Sequence, residues 1–194
     1  MSKSDPSASK KERNKTIRWV VTIFFVTILV SGSISLVSDV IMEASTILVA
    51  FLILLAIVLV GIIFDIIGVA VTSADEKPFH SMAARKVPGA QEAIRLLRKA
   101  EKVSSICNDV VGDICGVVSG SASATIAAQV IAGHTFSWPQ MVSLLLSALV
   151  AGLTVGGKAI GKTFAIGSCT TIVHNVGKVI WAFRNIPMLL RRKK

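Results

Sequence analysis

A chain of 194 residues is the size of one ordinary soluble domain, but 53% hydrophobic composition and a mean hydropathy of +0.71 exclude a water-soluble globule. The formal charge of +10, from 21 Lys and Arg against 11 Asp and Glu, flanks apolar segments, so its partner is anionic lipid headgroups and not nucleic acid. Three cysteines, Cys107, Cys115 and Cys169, form no CxxC pair; this excludes a disulfide framework and a thiolate zinc site and leaves small buried apolar residues.

Residues 1–18 carry six Lys and Arg among Ser, Asn and Pro and predict a basic, disordered tail. The uncharged run over about 19–37, WVVTIFFVTILVSGSISLV, is long enough at about 1.5 Å per residue to cross a hydrocarbon core of about 30 Å. Its basic flank and Ser31-Gly32-Ser33 also fit a cleavable signal peptide, but the apolar run continues past that triplet, and a retained span is expected. A second span covers about 47–72, interrupted by Asp65. In the following loop Ala93, Leu96, Leu97 and Ala100 share one face of an amphipathic helix over about 90–101, suited to the membrane surface.

The third span, about 103–132, holds Asn108, Asp109, Asp113 and several serines. The fourth, about 139–160, starts behind Trp138, an interfacial anchor, with Pro139 in its first turn. A second interfacial helix is expected over about 162–186, which has no acid but includes Lys162, Lys178 and Arg184, and 187–194 is a basic tail. The predicted fold is an all-α integral membrane protein with a transmembrane domain over 19–186, made of four transmembrane helices and two amphipathic interfacial helices.

Lys and Arg alternate between connections: six in the tail, none in 38–46, seven in 73–102, none in 133–139, and seven from Lys162 onward. By the positive-inside rule both termini and the 73–102 loop face the cytoplasm, an arrangement expected for a cell (inner) membrane.

An ionised side chain in a span costs about 2.5–3.5 kcal/mol on insertion scales, so each needs a partner or an aqueous cavity. Asp65 shares a stripe with Gly61, Gly68 and Thr72, and Lys158 closes one of Ser143, Ser147, Ala151 and Thr154. Asp109 and Asp113 fall on a face with Gly112, Gly116, Gly120 and Ser123. Small residues in such seams let helices approach closely. The residues leave two readings open: an internal salt bridge fastening the bundle, or a cation site built on the same carboxylates with serine, threonine and asparagine oxygens as hard ligands. His80, His134 and His174 share no ligand spacing, and no nucleophile motif or phosphate loop is present, so an enzyme is not expected.

From about Gly61 to Arg184 the order of motifs resembles the transmembrane domain of the CorB/CorC and CNNM (cyclin M) magnesium transporters. FDIIGVAVTS, Phe64 to Ser73, is similar to the family's first-helix motif. HSMAARKVPGAQEAIRLLRKAEKVSS resembles its basic helix-turn-helix loop, Val111-Gly112-Asp113 stands where the family has Gly-Asn, and GKAIGKTFA, Gly157 to Ala165, resembles its Gly-Glu-Ile-Ile-Pro-Lys segment.

In that family the domain dimerises and binds dehydrated magnesium through a serine, an asparagine and a glutamate; the corresponding positions here are Asp65, Asp113 and Lys158, all different. The side-chain charge is the same, minus one, and either Lys158 partly replaces the ion or it snorkels away and leaves two carboxylates free. The resemblance thus implies a homodimer transporting or exporting a divalent cation, magnesium or cobalt. Its metal ligands would be Asp65 and Asp113, with Ser105 and Asn108 as further candidates, Lys158 as gate or counter-ion, and Asp109 as an additional intramembrane acid. No cofactor is implied beyond Mg2+ as the transported ion. The family's paired nucleotide-sensing CBS domains have no counterpart among these motifs, and regulation through them is not expected. The alternative is a non-transporting membrane scaffold or partner subunit in which Lys158 neutralises Asp65 and Asp113.

Overall fold

A computed structural model describes residues 6–43, 45–133 and 138–191, with side chains described for 17–42, 45–133 and 138–185; His134 and residues 192–194 lie outside it. The described secondary structure is helical throughout: α1 Pro6–Glu43, α2 Ile47–Ser73, α3 Lys77–Ala84, α4 Ala90–Leu97, α5 Ala100–Ser105, a π-helical segment Ile106–Gly112, α6 Asp113–Ala132, α7 Pro139–Gly167 and α8 Cys169–Arg191. α5, the π segment and α6 run on as one helix of 33 residues, Ala100–Ala132; with Ile17–Met42 of α1, α2 and α7 it makes four helices long and apolar enough to cross a membrane. The protein is therefore an all-α, multi-pass membrane protein.

Four elements differ in their boundaries from the sequence expectation. Residues 6–18 are helical and not a disordered tail. Once the span has supplied the costly helix nucleus, good helix formers such as Ala8, Lys10, Lys11 and Arg13 extend it backward to Pro6. α7 passes the expected end at 160 and reaches Gly167, because Gly161 and Ala165 are buried in its last turns and Gly161 lies against Ile66 of α2. α8 consequently starts at Cys169, not 162, and its backbone takes in residues 187–191 of the expected basic tail. The loop helix expected over 90–101 is likewise shorter, ending at Leu97; Ala100 already belongs to the third span.

Contacts between helices define the threading. Ser35 meets Ser121 and Met42 meets Gln129, so α1 and α6 are parallel. Gly61 packs under Cys115 and Gly68 under Asn108, so α2 is antiparallel to the third span, while Ile62 over Gly157 and Ile66 over Gly161 make α2 and α7 parallel. The up-down-up-down order of four spans follows. α2 is the central element, touching the third span, α7 and α8, whereas α1 rests mainly on α6.

Two apolar cores divide the bundle. Met42, Ala50, Leu54, Val58, Ala122, Ile126 and Val150 form one, toward the α1/α2 connection. Ala70, Val71, Phe79, Ala93, Leu97, Ala165 and Val173 form the other, toward the α2–α5 loop. Phe24, Phe25, Leu29 and Leu36 of α1 and Leu144, Leu145 and Ile160 of α7 point outward, as a lipid solvent allows.

Below the second core α4 and α8 cross at two glycines. Gly89 takes φ +86°, a conformation that favours glycine, and a Cβ at Gly177 would lie 2.5 Å from the Gly89 carbonyl oxygen. Around the crossing Glu92 accepts from Arg95 at 2.8 Å and from Arg184 at 3.0 Å, and a His174 ring nitrogen lies 3.2 Å from the Pro88 carbonyl oxygen. This joins the loop helix and α8 into one basic platform.

Candidate functional site

Between the two cores lies a polar layer. On α2, Gly61, Asp65 and Gly68 are buried along one stripe, and Asp65 is only 5% exposed. Two glycines flanking an acid let the third span approach until its backbone and short side chains cover the carboxylate. The Asn108 amide fills the space over Gly68, and Cys115 that over Gly61.

Lys158 of α7 reaches the same point. Its ammonium donates to the Gly112 carbonyl oxygen at a long 3.4 Å. A Cβ at Gly112 would lie 3.4 Å from Lys158 Nζ and 3.9 Å from Asp65 Oδ1, so both charged groups border one spot on the π segment. The two make no direct ion pair; the ion pairs among the described residues are His80–Glu76, Arg95–Glu92 and Arg184–Glu92. Asp65 Oδ2 is buried and has no hydrogen-bond partner. Asn108 donates through Nδ2 to Ser104 Oγ at 3.2 Å, but its Oδ1 is also buried and unpartnered.

The other expected residues do not join this layer. Asp109 and Asp113 are exposed, and Ser105 Oγ donates outward to Asp109 Oδ2 at 2.8 Å. The expectation that Lys158 neutralises both Asp65 and Asp113 is corrected in its second acid: Asp113 is exposed, and it is Gly112 that borders Asp65 and Lys158. The inward face of the third span runs Asn108, Gly112, Cys115, Ser119, Ala122 and Ile126; of the expected face Gly112 and Ser123 are buried, while Asp109 and Asp113, one position on from Asn108 and Gly112 and about 100° of helix rotation away, are exposed. Turning Asp109 and Asp113 inward would place three carboxylates in a low-dielectric layer with one lysine, so the neutral Asn108 and Gly112 take the buried side.

Among the described residues no three His, Cys, Asp or Glu side chains cluster as metal ligands. What the layer provides is one buried carboxylate, one amide oxygen and a nearby ammonium. An unfilled carboxylate oxygen and an unfilled amide oxygen both accept only, so they call for a proton donor or a hard cation. Cys107, Cys115 and Cys169 are free thiols, and Cys115 packs on Gly61 as a small apolar side chain would.

No family model, curated protein or solved structure matches the chain. Sequence reasoning gave no weight to a second polar contact, between the end of α1 and α6, where Ser38, Asp39 and Gln129 leave buried oxygens unpartnered. The one signal for it was an acid beside a connection devoid of Lys and Arg.

Proposed function

We propose that the chain is a CorB/CNNM-like membrane protein that moves a divalent cation, magnesium or cobalt, through a site centred on Asp65. The observation that carries this reading is the pair of buried, unpartnered oxygens, Asp65 Oδ2 and Asn108 Oδ1, on facing helices. Leaving buried acceptors empty costs about 1–3 kcal/mol each, more for a charged group, which selects for a ligand that fills them. Asn108 replaces Asp113 and Ser105 as the partner of Asp65.

Lys158 gives the site its exchange character. With the ammonium near Asp65 the layer is neutral without an ion; with a cation bound, the ammonium withdraws on its flexible stem toward the end of α7. Ammonium and ion thus occupy the acid's field in turn. Lys77, Lys86, Arg98 and Lys99 of the α2–α5 connection, Lys102 of α5, and Lys178 and Arg184 of α8 lie toward one end of the bundle, which supports a cytoplasmic placement of that end and of both termini. The implied homodimer has a matching surface: a side chain added at Gly116, Gly120, Gly152 or Gly156 would meet open space, as helices that pack against a second copy require.

The test is magnesium flux into proteoliposomes. Asp65→Asn keeps the shape of the side chain and removes its charge. Flux falling to the leak of empty vesicles, with the melting transition retained, is expected; wild-type flux refutes the reading. A second reading, a non-transporting scaffold in which Lys158 merely neutralises Asp65, is favoured by the ammonium's position at Gly112.

A further inference from the structure

At the opposite end of the bundle from Asp65, α1 meets α6 through a hydroxyl-rich seam. Ser35 and Ser121 touch through their hydroxyls at 3.3 Å, and Gln129 Nε2 donates to the Met42 carbonyl oxygen at 2.8 Å. Within the two turns that these contacts bracket, three side chains leave buried oxygens with no hydrogen-bond partner: Ser38 Oγ, Asp39 Oδ1 and Gln129 Oε1. Ser38 is 6% exposed. The Gln129 amide has its donor fixed on the last turn of α1, so its oxygen stays beside that turn, where Ser38 and Asp39 stand one turn earlier.

The field here is negative for three separate reasons. Asp39 contributes a carboxylate. α1 and α6 are parallel, so both bring their C-terminal, negative poles to this end, with no basic residue in either last turn; α2 and α7 start at the same end with positive poles, so this contribution is confined to the last turns of α1 and α6 themselves. The chain has no Lys or Arg anywhere in residues 19–76 or 103–157, so it has neither a lysine nor an arginine with which to balance the charge. A carboxylate, an amide oxygen and a hydroxyl are oxygen ligands suited to a hard cation, and a site with one carboxylate leaves several of the ion's waters in place.

We propose that Ser38, Asp39 and Gln129 form a second cation site in the α1/α6 seam, at the end of the bundle remote from Asp65, which takes a hard divalent ion such as Mg2+ or Mn2+. The site draws on α1, which lies outside the stretch that resembles the transporter domain, and it stands whether or not Asp65 binds an ion. The ion it holds ties the end of α1 to α6 and keeps a supply of cation at that mouth of the bundle.

Counting bound Mn2+ by electron paramagnetic resonance on the full chain in phosphatidylcholine nanodiscs tests this. Asp65→Asn serves as the background, so that failure of the Asp65 reading cannot be confused with failure of this one. The background protein is expected to bind one Mn2+, the added Asp39→Asn to abolish it, and Asp39→Glu to retain it. Gln129→Met, which keeps the acid, is expected to weaken binding about tenfold or more, and it provides a second variant should Asp39→Asn misfold. No Mn2+ on the background protein, or equal binding after Asp39→Asn or Gln129→Met, overturns the proposal.

Discussion

Gly68 is a place where the proposed ion site can be damaged without changing any ligand. A methyl group there would lie 2.7 Å from Asn108 Cγ and 3.1 Å from Asn108 Nδ2, well inside the roughly 3.5–4.0 Å at which carbon atoms normally rest. The obstacle is the end of a side chain, so Asn108 can rotate away and the helices need not separate. Rotation gives up the hydrogen bond from Nδ2 to Ser104 Oγ, worth about 1 kcal/mol. Replacing glycine by alanine in a helix interior returns about 0.8–1.0 kcal/mol. These terms nearly cancel, and Gly68→Ala is expected to melt within a few degrees of wild type. Its flux should nevertheless fall strongly, because Asn108 Oδ1 leaves the hollow over Gly68, one turn from Asp65. Magnesium uptake by proteoliposomes, measured beside a thermal melt, separates the two effects. Gly32→Ala, where the added methyl meets open space inside α1, is the matched control. Adding Asn108→Ala to Gly68→Ala should cost no further activity, since both act through one amide. Wild-type flux in Gly68→Ala would refute Asn108 as a ligand.

Lys158→Met removes the ammonium that borders Asp65. Because Lys158 is half-buried and makes no direct ion pair, the loss of stability in chelator is expected at roughly 1–2 kcal/mol, below the 3–5 of broken buried pairs. Millimolar Mg2+ should restore the melt by replacing the missing charge; a melt indifferent to both the substitution and the ion refutes Lys158 as counter-charge, and a loss that Mg2+ does not reverse favours the scaffold. Gly177→Ala places a methyl 2.5 Å from the Gly89 carbonyl oxygen and 3.1 Å from the Ala93 amide nitrogen, both backbone atoms that no rotamer change can move. It should cost about 1–3 kcal/mol and free α8 from α4, seen as a red shift of Trp181 emission in a background where Trp19 and Trp138 are Phe; an unchanged melt and spectrum refute the crossing as a tether.

The four spans were legible because a run of about 20 apolar residues has few other fates, and their order was legible because Lys and Arg alternate between connections. Helix ends were less so. Nothing in GKAIGKTFAIG marks where lipid stops and packing against α2 begins, and it is Ile66, about a hundred residues earlier, that meets Gly161 and keeps α7 helical to Gly167. The helical content of residues 6–18 was hidden by their charge, which predicts solvation but not conformation.

The candidate site was legible in its parts but not in its facing. Helical spacing groups Asp109 and Asp113 with Gly112, Gly116, Gly120 and Ser123 on one side of the third span, and groups Asn108, Gly112, Cys115 and Ser119 on the adjacent, overlapping side, with equal regularity. Spacing alone cannot choose between them; the neighbour does. α2 offers two glycine hollows on either side of Asp65, and what fits there is a neutral amide over Gly68 and a thiol over Gly61. A carboxylate placed in either hollow would stand beside Asp65 in a layer whose one cation is Lys158, and the repulsion would exceed anything gained by packing. The same balance explains why the α1/α6 seam escaped notice. Asp39 and Gln129 are 90 residues apart in the chain, and only the parallel register of two helices turns a lone acid and a lone amide into one set of unfilled oxygens.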